Sequence, residues 1–172
     1  MSDLNNFYQS ILNLRQRDVF DTIKTIVLEE RTKLNNTTND LTGFCKYIAS
    51  QIEDRLTKEN IRVYWVDLND ITNINHVILI AEYMSQSKMN RVLIDPTYSQ
   101  FTKDDKHQLV TLKEWPSERL DKNILKDLLT NGVTQLDDNK FQNYLNSFGE
   151  INWNISLDDY LLKQQLGKGI RR

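Results

Sequence analysis

The chain has 172 residues, of which 39% are hydrophobic and 27% are charged, and its formal net charge is −2. This length and composition are typical of one globular domain with a core of its own. Acidic and basic residues are mixed along the chain, without the basic patch of a nucleic-acid-binding protein, and no apolar run approaches the ~18 residues of a membrane helix. We therefore expect no nucleic-acid partner and no membrane insertion.

The cysteine content and the N-terminus indicate a compartment. Cys45 is the single cysteine, so no internal disulfide is expected, which fits a reducing environment. The first residues lack the basic and apolar regions of a secretory signal. We expect a cytoplasmic protein and leave signal-independent export and the oligomeric state open.

Two helices are predicted in the first third of the chain. Apolar residues recur at three- and four-residue spacing within a helix from about residue 7 to 30, namely Val19, Phe20, Ile23, Ile26 and Val27. The polar residues 35–40 predict a loop. A second apolar series with a spacing of four predicts a helix over about residues 44–58, which places Cys45 in its first turn.

The middle of the chain predicts strands. Residues 62–66 are β-branched and aromatic, residues 76–81 form an apolar run typical of a strand buried on both faces, and residues 91–95 are stopped by Pro96. Residues 85–90 read as a hairpin connection, which predicts an antiparallel pair.

Helical patterns return in the last third. The first helix, from about residue 123, is predicted to end at Asn131-Gly132, since glycine is common just after a helix. The second contains Phe141, Tyr144, Leu145 and Phe148, and the third is capped by Ser156. The fold class predicted from these patterns is α+β, with a small, mainly antiparallel sheet between N-terminal and C-terminal helices.

Three residues predict a thiol active site. Cys45 would benefit from the positive end of a helix, which favours the reactive thiolate, and first-turn N–H groups could form an oxyanion hole. His76 opens one predicted strand and can act as the base, while Asp95 closes the next strand and can orient the imidazole. An inert buried cysteine, a polar strand end and a simple Asp-Pro turn are the alternative interpretations.

The motifs around these residues resemble the transglutaminase-like superfamily. Residues 43–49 (GFCKYIA) are similar to the start of its nucleophile helix, residues 76–83 (HVILIAEY) to its histidine strand, and residues 92–97 (VLIDPT) to its aspartate strand. The resemblance covers about residues 41–101. It implies a papain/transglutaminase-like α+β fold, with the nucleophile helix packed on the sheet. We expect one domain over residues 1–172, with its core at about 35–120 and a C-terminal helical portion at about 121–172.

The resemblance also implies chemistry through a covalent thioester with a Cys45–His76–Asp95 triad. We favour an amide hydrolase, either a protein glutamine deamidase or a cysteine peptidase, with a protein or peptide substrate. A transglutaminase or acyltransferase with the same triad, and a non-catalytic binding protein on this scaffold, are the alternatives. Neither a cofactor nor a metal is expected, since no metal-ligand spacing or calcium-site cluster occurs.

The surroundings of the triad are less clearly indicated. Family members commonly carry His-Ala-Trp, whereas Val77 and Ile78 follow the histidine here, so the aromatic wall is missing or supplied elsewhere. Phe44, Tyr98 and Gln100 are predicted to contact the substrate, because they adjoin the cysteine or follow the aspartate.

Overall fold

The computed structural model describes residues 2–37, 43–102 and 115–171 of the chain. It has the predicted α+β class. In chain order the elements are α1 (Ser2–Thr37), α2 (Cys45–Lys58), β1 (Arg62–Asp67), β2 (Val77–Ser85), β3 (Lys88–Ile94), α3 (Pro116–Arg119), α4 (Lys122–Asn131), β4 (Val133–Leu136), α5 (Asp138–Asn146) and α6 (Leu157–Arg171). Short 3₁₀ turns lie at Leu68–Asp70 and Tyr98–Phe101.

Helix α1 is longer than predicted. The loop expected at residues 35–40 was wrong for residues 35–37, which are helical, while residues 38–40 lie outside the described residues. Leu34 is buried in the core next to these polar residues, and the Thr37 hydroxyl donates to the Leu34 carbonyl at 2.8 Å. Packing and this side-chain hydrogen bond offset the turn preference of the two asparagines.

The described residues form one antiparallel sheet of four strands in the order β1-β2-β3-β4. The antiparallel β2–β3 pair is confirmed, but its connection is shorter than predicted. Strand β3 begins at Lys88, and only Gln86 and Ser87 form the turn, both with positive φ (+53° and +62°). Two-residue turns of this kind match the twist of the strands they join.

Strand β4 was not predicted. Its four residues pair with β3 from Ile94↔Val133 to Arg91↔Leu136. So short a segment shows too little alternation to be recognised from its pattern alone. It matters for the site because Gly132, directly before β4, accepts a hydrogen bond from the backbone N–H of Asp95 at 2.9 Å.

Both faces of the sheet are covered, as predicted for the apolar run in β2. Val77, Leu79 and Ala81 face the core formed with α1 and α2, while Ile78 and Ile80 face the core formed with α4, α5 and α6. This alternation follows from the two-residue repeat of a strand. The sheet therefore lies between the helix that begins with Cys45 and the C-terminal helices.

The C-terminal helices follow their predicted signals closely. Helix α4 ends at Asn131, and the next residue, Gly132, has a φ of +75°, the left-handed conformation that glycine favours. The Ser156 hydroxyl accepts a hydrogen bond from the Asp159 N–H at 3.1 Å, as expected of the cap of α6. Helix α5 ends at Asn146, so Phe148 lies just beyond it rather than inside it.

Candidate active site

Cys45 is the first residue of α2. Phe44, the preceding cap residue, makes no side-chain hydrogen bond to the helix, and the first turn contains no acidic residue. Gly43 has a φ of +84° where the chain turns into the helix. No side-chain oxygen of the capping residue or first turn therefore offsets the positive end of the helix dipole beside the thiol.

His76 lies immediately before β2, one residue outside the strand that it was expected to open. Its carbonyl accepts a hydrogen bond from the Leu68 N–H at 2.8 Å, which extends the β1–β2 pairing by one residue pair. The side chain is only 1% exposed. The sheet thus fixes the backbone that carries the imidazole.

Asp95 follows β3 and is fully buried. Since β2 and β3 are antiparallel, the start of one and the end of the other meet at the same edge of the sheet. The His76 Nε2 lies 2.9 Å from the Asp95 Oδ1. The other ring nitrogen, Nδ1, is left for the thiol, and His76 and Cys45 lie close enough to shift each other's pKa. The structure therefore brings the three predicted residues together in the order Cys45, His76, Asp95, which we call the row.

The electrostatics of this row favour an ion pair. Burial raises the pKa of the Cys45 thiol. The interaction with His76, together with the Val77 backbone, lowers this pKa by more than burial raises it, so the pKa of Cys45 is below its usual value. Burial lowers the pKa of His76, but the charge and hydrogen bond of Asp95, with the hydrogen bond and charge of Cys45, raise it to about 9. These directions favour a thiolate beside an imidazolium at neutral pH.

A fourth polar group joins the row from α5. The Tyr144 hydroxyl donates to the second carboxylate oxygen of Asp95, Oδ2, at 2.5 Å, and its ring is fully buried. Tyr144 was predicted only as part of an apolar helix face. A buried tyrosine hydroxyl needs a hydrogen-bond partner, but its sequence position does not reveal which one.

Two aromatic rings from other segments lie against the imidazole of His76. The Phe101 ring meets the His76 ring edge-on at 5.0 Å between centroids, and the Phe148 ring lies at 6.4 Å. Phe101 and Phe148 also contact each other at 5.1 Å. These rings exclude water from the imidazole, which strengthens its interaction with Asp95.

The three residues predicted to contact the substrate differ in placement. Phe44 is 36% exposed next to Cys45, which leaves part of its ring available to a ligand. Tyr98 is fully buried, and its hydroxyl donates to the Ser147 hydroxyl at 3.2 Å. The side-chain amide of Gln100 is also buried and donates to the backbone and side-chain oxygens of Thr97. Tyr98 and Gln100 therefore brace the turn after Asp95 and do not offer a surface beside the thiol.

The described residues contain no group of three or more histidine, cysteine or acidic residues that could hold a metal ion. Within the same residues, no helix is both long enough and apolar enough to cross a membrane.

The comparisons with known proteins gave no match, whether to a protein family, to a curated protein or to a solved structure.

Proposed function

We propose that this protein is a cysteine-dependent amide hydrolase of the papain/transglutaminase-like kind, in which Cys45 is the nucleophile, His76 the base and Asp95 the residue that orients the imidazole. The observation that carries the proposal is the position of His76. Its buried ring hydrogen-bonds a buried carboxylate and lowers the pKa of a thiol at a helix N-terminus. A buried histidine held this way matches the geometry of nucleophile, base and orienting group.

The reaction proceeds in two halves. The Cys45 thiolate attacks the carbonyl carbon of an amide and forms a carbon–sulfur bond, and the oxygen takes the negative charge. His76 then gives its proton to the departing nitrogen, the carbon–nitrogen bond breaks, and ammonia or an amine leaves a thioester on Cys45. Water, deprotonated by His76, attacks the thioester and releases the acid and the thiolate.

The first turn of α2 suits the charge that develops in these steps. Its N–H groups are not taken up by a side-chain cap, and such groups stabilise an oxyanion. Asp95 stabilises the imidazolium form of His76 while the thiolate attacks. Each charge in the transition state thus has an opposite charge or a donor within the site.

We expect the substrate to be the side-chain carboxamide of a protein glutamine or a peptide bond in an extended segment. The Cys45 side chain is only 9% exposed, so a slender group reaches its sulfur more readily than a branched one. An amine in place of water would give transamidation, and a thioester donor would make the protein an acyltransferase. We place the enzyme in the cytoplasm, where a lone cysteine stays reduced, with signal-independent export as the alternative.

A binding protein without catalysis is the second candidate. It is favoured by the burial of the whole row, because a thiol that a carbonyl cannot reach performs no chemistry. Reactivity separates the two candidates. A nucleophilic Cys45 reacts with iodoacetamide below pH 7 in the folded protein, whereas an inert one reacts only on unfolding.

The decisive experiment is intact-mass analysis of candidate protein substrates with wild-type enzyme and with Cys45→Ala. A gain of about one dalton indicates deamidation, the mass of an added amine indicates transamidation, and fragments indicate proteolysis. We expect Cys45→Ala to abolish the change while its circular dichroism spectrum is retained. Cys45→Ser is the matched control, since it replaces the thiol by a hydroxyl of similar shape that is a much weaker nucleophile. Undiminished turnover by Cys45→Ala would overturn the proposal.

A further inference from the structure

Asp95 uses both of its carboxylate oxygens in the site. Oδ1 accepts from His76, and Oδ2 accepts from the Tyr144 hydroxyl. The two donors come from different elements, one from the segment before β2 and the other from α5. A carboxylate held at both oxygens cannot rotate away from the imidazole without losing the second bond.

The Tyr144 ring is itself held firmly. It packs against the Tyr98 ring at 5.8 Å and against the Phe148 ring at 5.3 Å between centroids. The Ser147 hydroxyl donates to the Tyr144 carbonyl at 2.6 Å. Phe148, next in the chain, also contacts the His76 ring, so the end of α5 supports both the aspartate and the histidine.

We propose that Tyr144 is a positioning residue of the active site, whose hydroxyl holds the Asp95 carboxylate aimed at His76. This inference rests on the proposed function, since it assigns Tyr144 a role in forming the thiolate. A hydrogen bond donated to a buried carboxylate stabilises its charge. Without that bond, the buried negative charge costs more, and the site takes up a proton more readily as the pH falls.

The other titratable groups around this bond are few among the described residues. His76 and Cys45 lie on one side of Asp95, and Tyr98 lies beside the Tyr144 ring. Burial, followed by the charge of Asp95, raises the pKa of Tyr144 well above its usual value, and burial also raises that of Tyr98. Both phenols therefore stay protonated at neutral pH, so Tyr144 remains a donor while Cys45 and His76 titrate.

The test is the pH dependence of Cys45 alkylation by iodoacetamide, followed by intact mass. Because Cys45 is the only cysteine, one adduct reports this site alone. In wild type we expect the alkylation rate to fall as pH is lowered, with a midpoint below the pKa of an ordinary thiol; we call this fall the acid limb. In Tyr144→Phe, which keeps the ring, we expect this acid limb to move up by about one pH unit, the size expected for one hydrogen bond to a charged group.

Tyr64→Phe is the matched control. Tyr64 is also buried and donates its hydroxyl to a buried carboxylate, Glu82, at 3.1 Å, but Glu82 does not contact His76 or Cys45. We expect Tyr64→Phe to lower thermal stability about as much as Tyr144→Phe and to leave the acid limb within about 0.2 pH units of wild type. An equal shift in both variants would reduce Tyr144 to a structural role and overturn the inference.

A double variant locates the effect. In an Asp95→Asn background, Tyr144→Phe should produce no further shift, because the bond acts through the carboxylate. A wild-type acid limb in Tyr144→Phe would overturn the positioning role and leave the proposed function standing. Absence of any reactive thiolate in wild type would overturn the proposed function, and the inference with it.

Should Tyr144→Phe fail to fold, 3-fluorotyrosine at position 144 tests the same bond without removing it. The fluorine makes the phenol a stronger donor and leaves its shape almost unchanged. We then expect the acid limb to move to lower pH, and an unchanged limb would overturn the inference.

Discussion

Two carboxylates are buried at different places on the sheet, and they differ in their charged partners, which are two arginines for Glu82 and a histidine for Asp95. Glu82, in β2, accepts from the Tyr64 hydroxyl and from the Arg91 Nε at 3.0 Å. Asp95, after β3, accepts from the Tyr144 hydroxyl and from the His76 ring. Each therefore combines a tyrosine with a nitrogen base that can carry positive charge.

The kind of charged partner, arginine or histidine, determines what each carboxylate can do. Arginine stays protonated at any pH a protein meets, so the Glu82–Arg91 pair holds a fixed charge and can only stabilise structure. Arg91 extends the pair to Asp158 of α6, which ties this helix to the sheet. Histidine exchanges its proton near neutral pH, so the same arrangement at Asp95 can serve acid–base chemistry.

The largest expected effect separates the two carboxylates directly. We expect Asp95→Asn to lower substrate turnover about 10³-fold or more, because the amide cannot stabilise the imidazolium and favours the wrong tautomer. Glu82→Gln should leave turnover within about twofold of wild type but lower the free energy of unfolding by about 2 kcal/mol, since Arg62 and Arg91 lose the buried counter-charge that they share. Equal losses of turnover, measured with unfolding curves for both variants, would break the comparison.

The pH dependence of turnover sharpens the comparison further. The pKa of Cys45 is lowered and that of His76 is raised to about 9, so the ion pair should persist between them and turnover should fall above about pH 9. Since the folded pKa of His76 exceeds its unfolded value of 6.5, its contribution to stability is complete below that value and is lost as pH rises through about 9.

Unfolding curves recorded across this range check the sign. In wild type the lowered pKa of Cys45 adds stability as pH rises and offsets the His76 contribution, so the curves are compared in a Cys45→Ala background. There, stability should fall as pH rises above about 6.5, and adding His76→Asn should remove this fall. A Cys45→Ala profile that stays flat, or that rises with pH in this window, would contradict the charged form of His76.

The smallest expected effect concerns the backbone that supports Asp95. A Cβ at Gly132 would lie 2.9 Å from the Val27 Cγ1 and 3.2 Å from the Pro96 Cα, and its φ is +75°. We expect Gly132→Ala to destabilise the fold by about 2–3 kcal/mol and to reduce turnover modestly, since its carbonyl holds the Asp95 N–H.

Gly43→Ala is the matched control for this substitution. Gly43 also has a positive φ, +84°, but a Cβ there meets nothing within 4 Å among the described residues. It should cost only the conformational strain, about 1 kcal/mol. Equal costs in thermal unfolding would show that crowding against Val27 and Pro96 is unimportant.

The parts of the site that could be predicted were those written in local patterns. An apolar spacing of four predicted the helix that begins at Cys45. One strand pattern began at His76, and the next ended at Asp95. Because the two strands are antiparallel, the start of the first lies beside the end of the second, which brings His76 next to Asp95. The catalytic roles of these residues stay predictions, because geometry alone does not measure turnover.

The parts that could not be predicted depend on distant partners. Tyr144 meets Asp95 across 49 residues of sequence, and nothing in its helix distinguishes it from the other apolar positions. Tyr98 and Gln100 follow the aspartate in the chain, yet a 3₁₀ turn directs them into the core. Sequence adjacency indicated neighbours of Asp95 but not the direction of their side chains.

The hydrogen bond between Tyr144 and Asp95 determines when the site can be completed during protein synthesis. Residues 45, 76 and 95 leave the ribosome well before residue 144 does. Until α5 is synthesised and packs against the sheet, Asp95 lacks one of its two partners. The nascent chain would therefore carry its cysteine for some time without the completed row, and the thiol would gain its full reactivity only as the C-terminal helices pack.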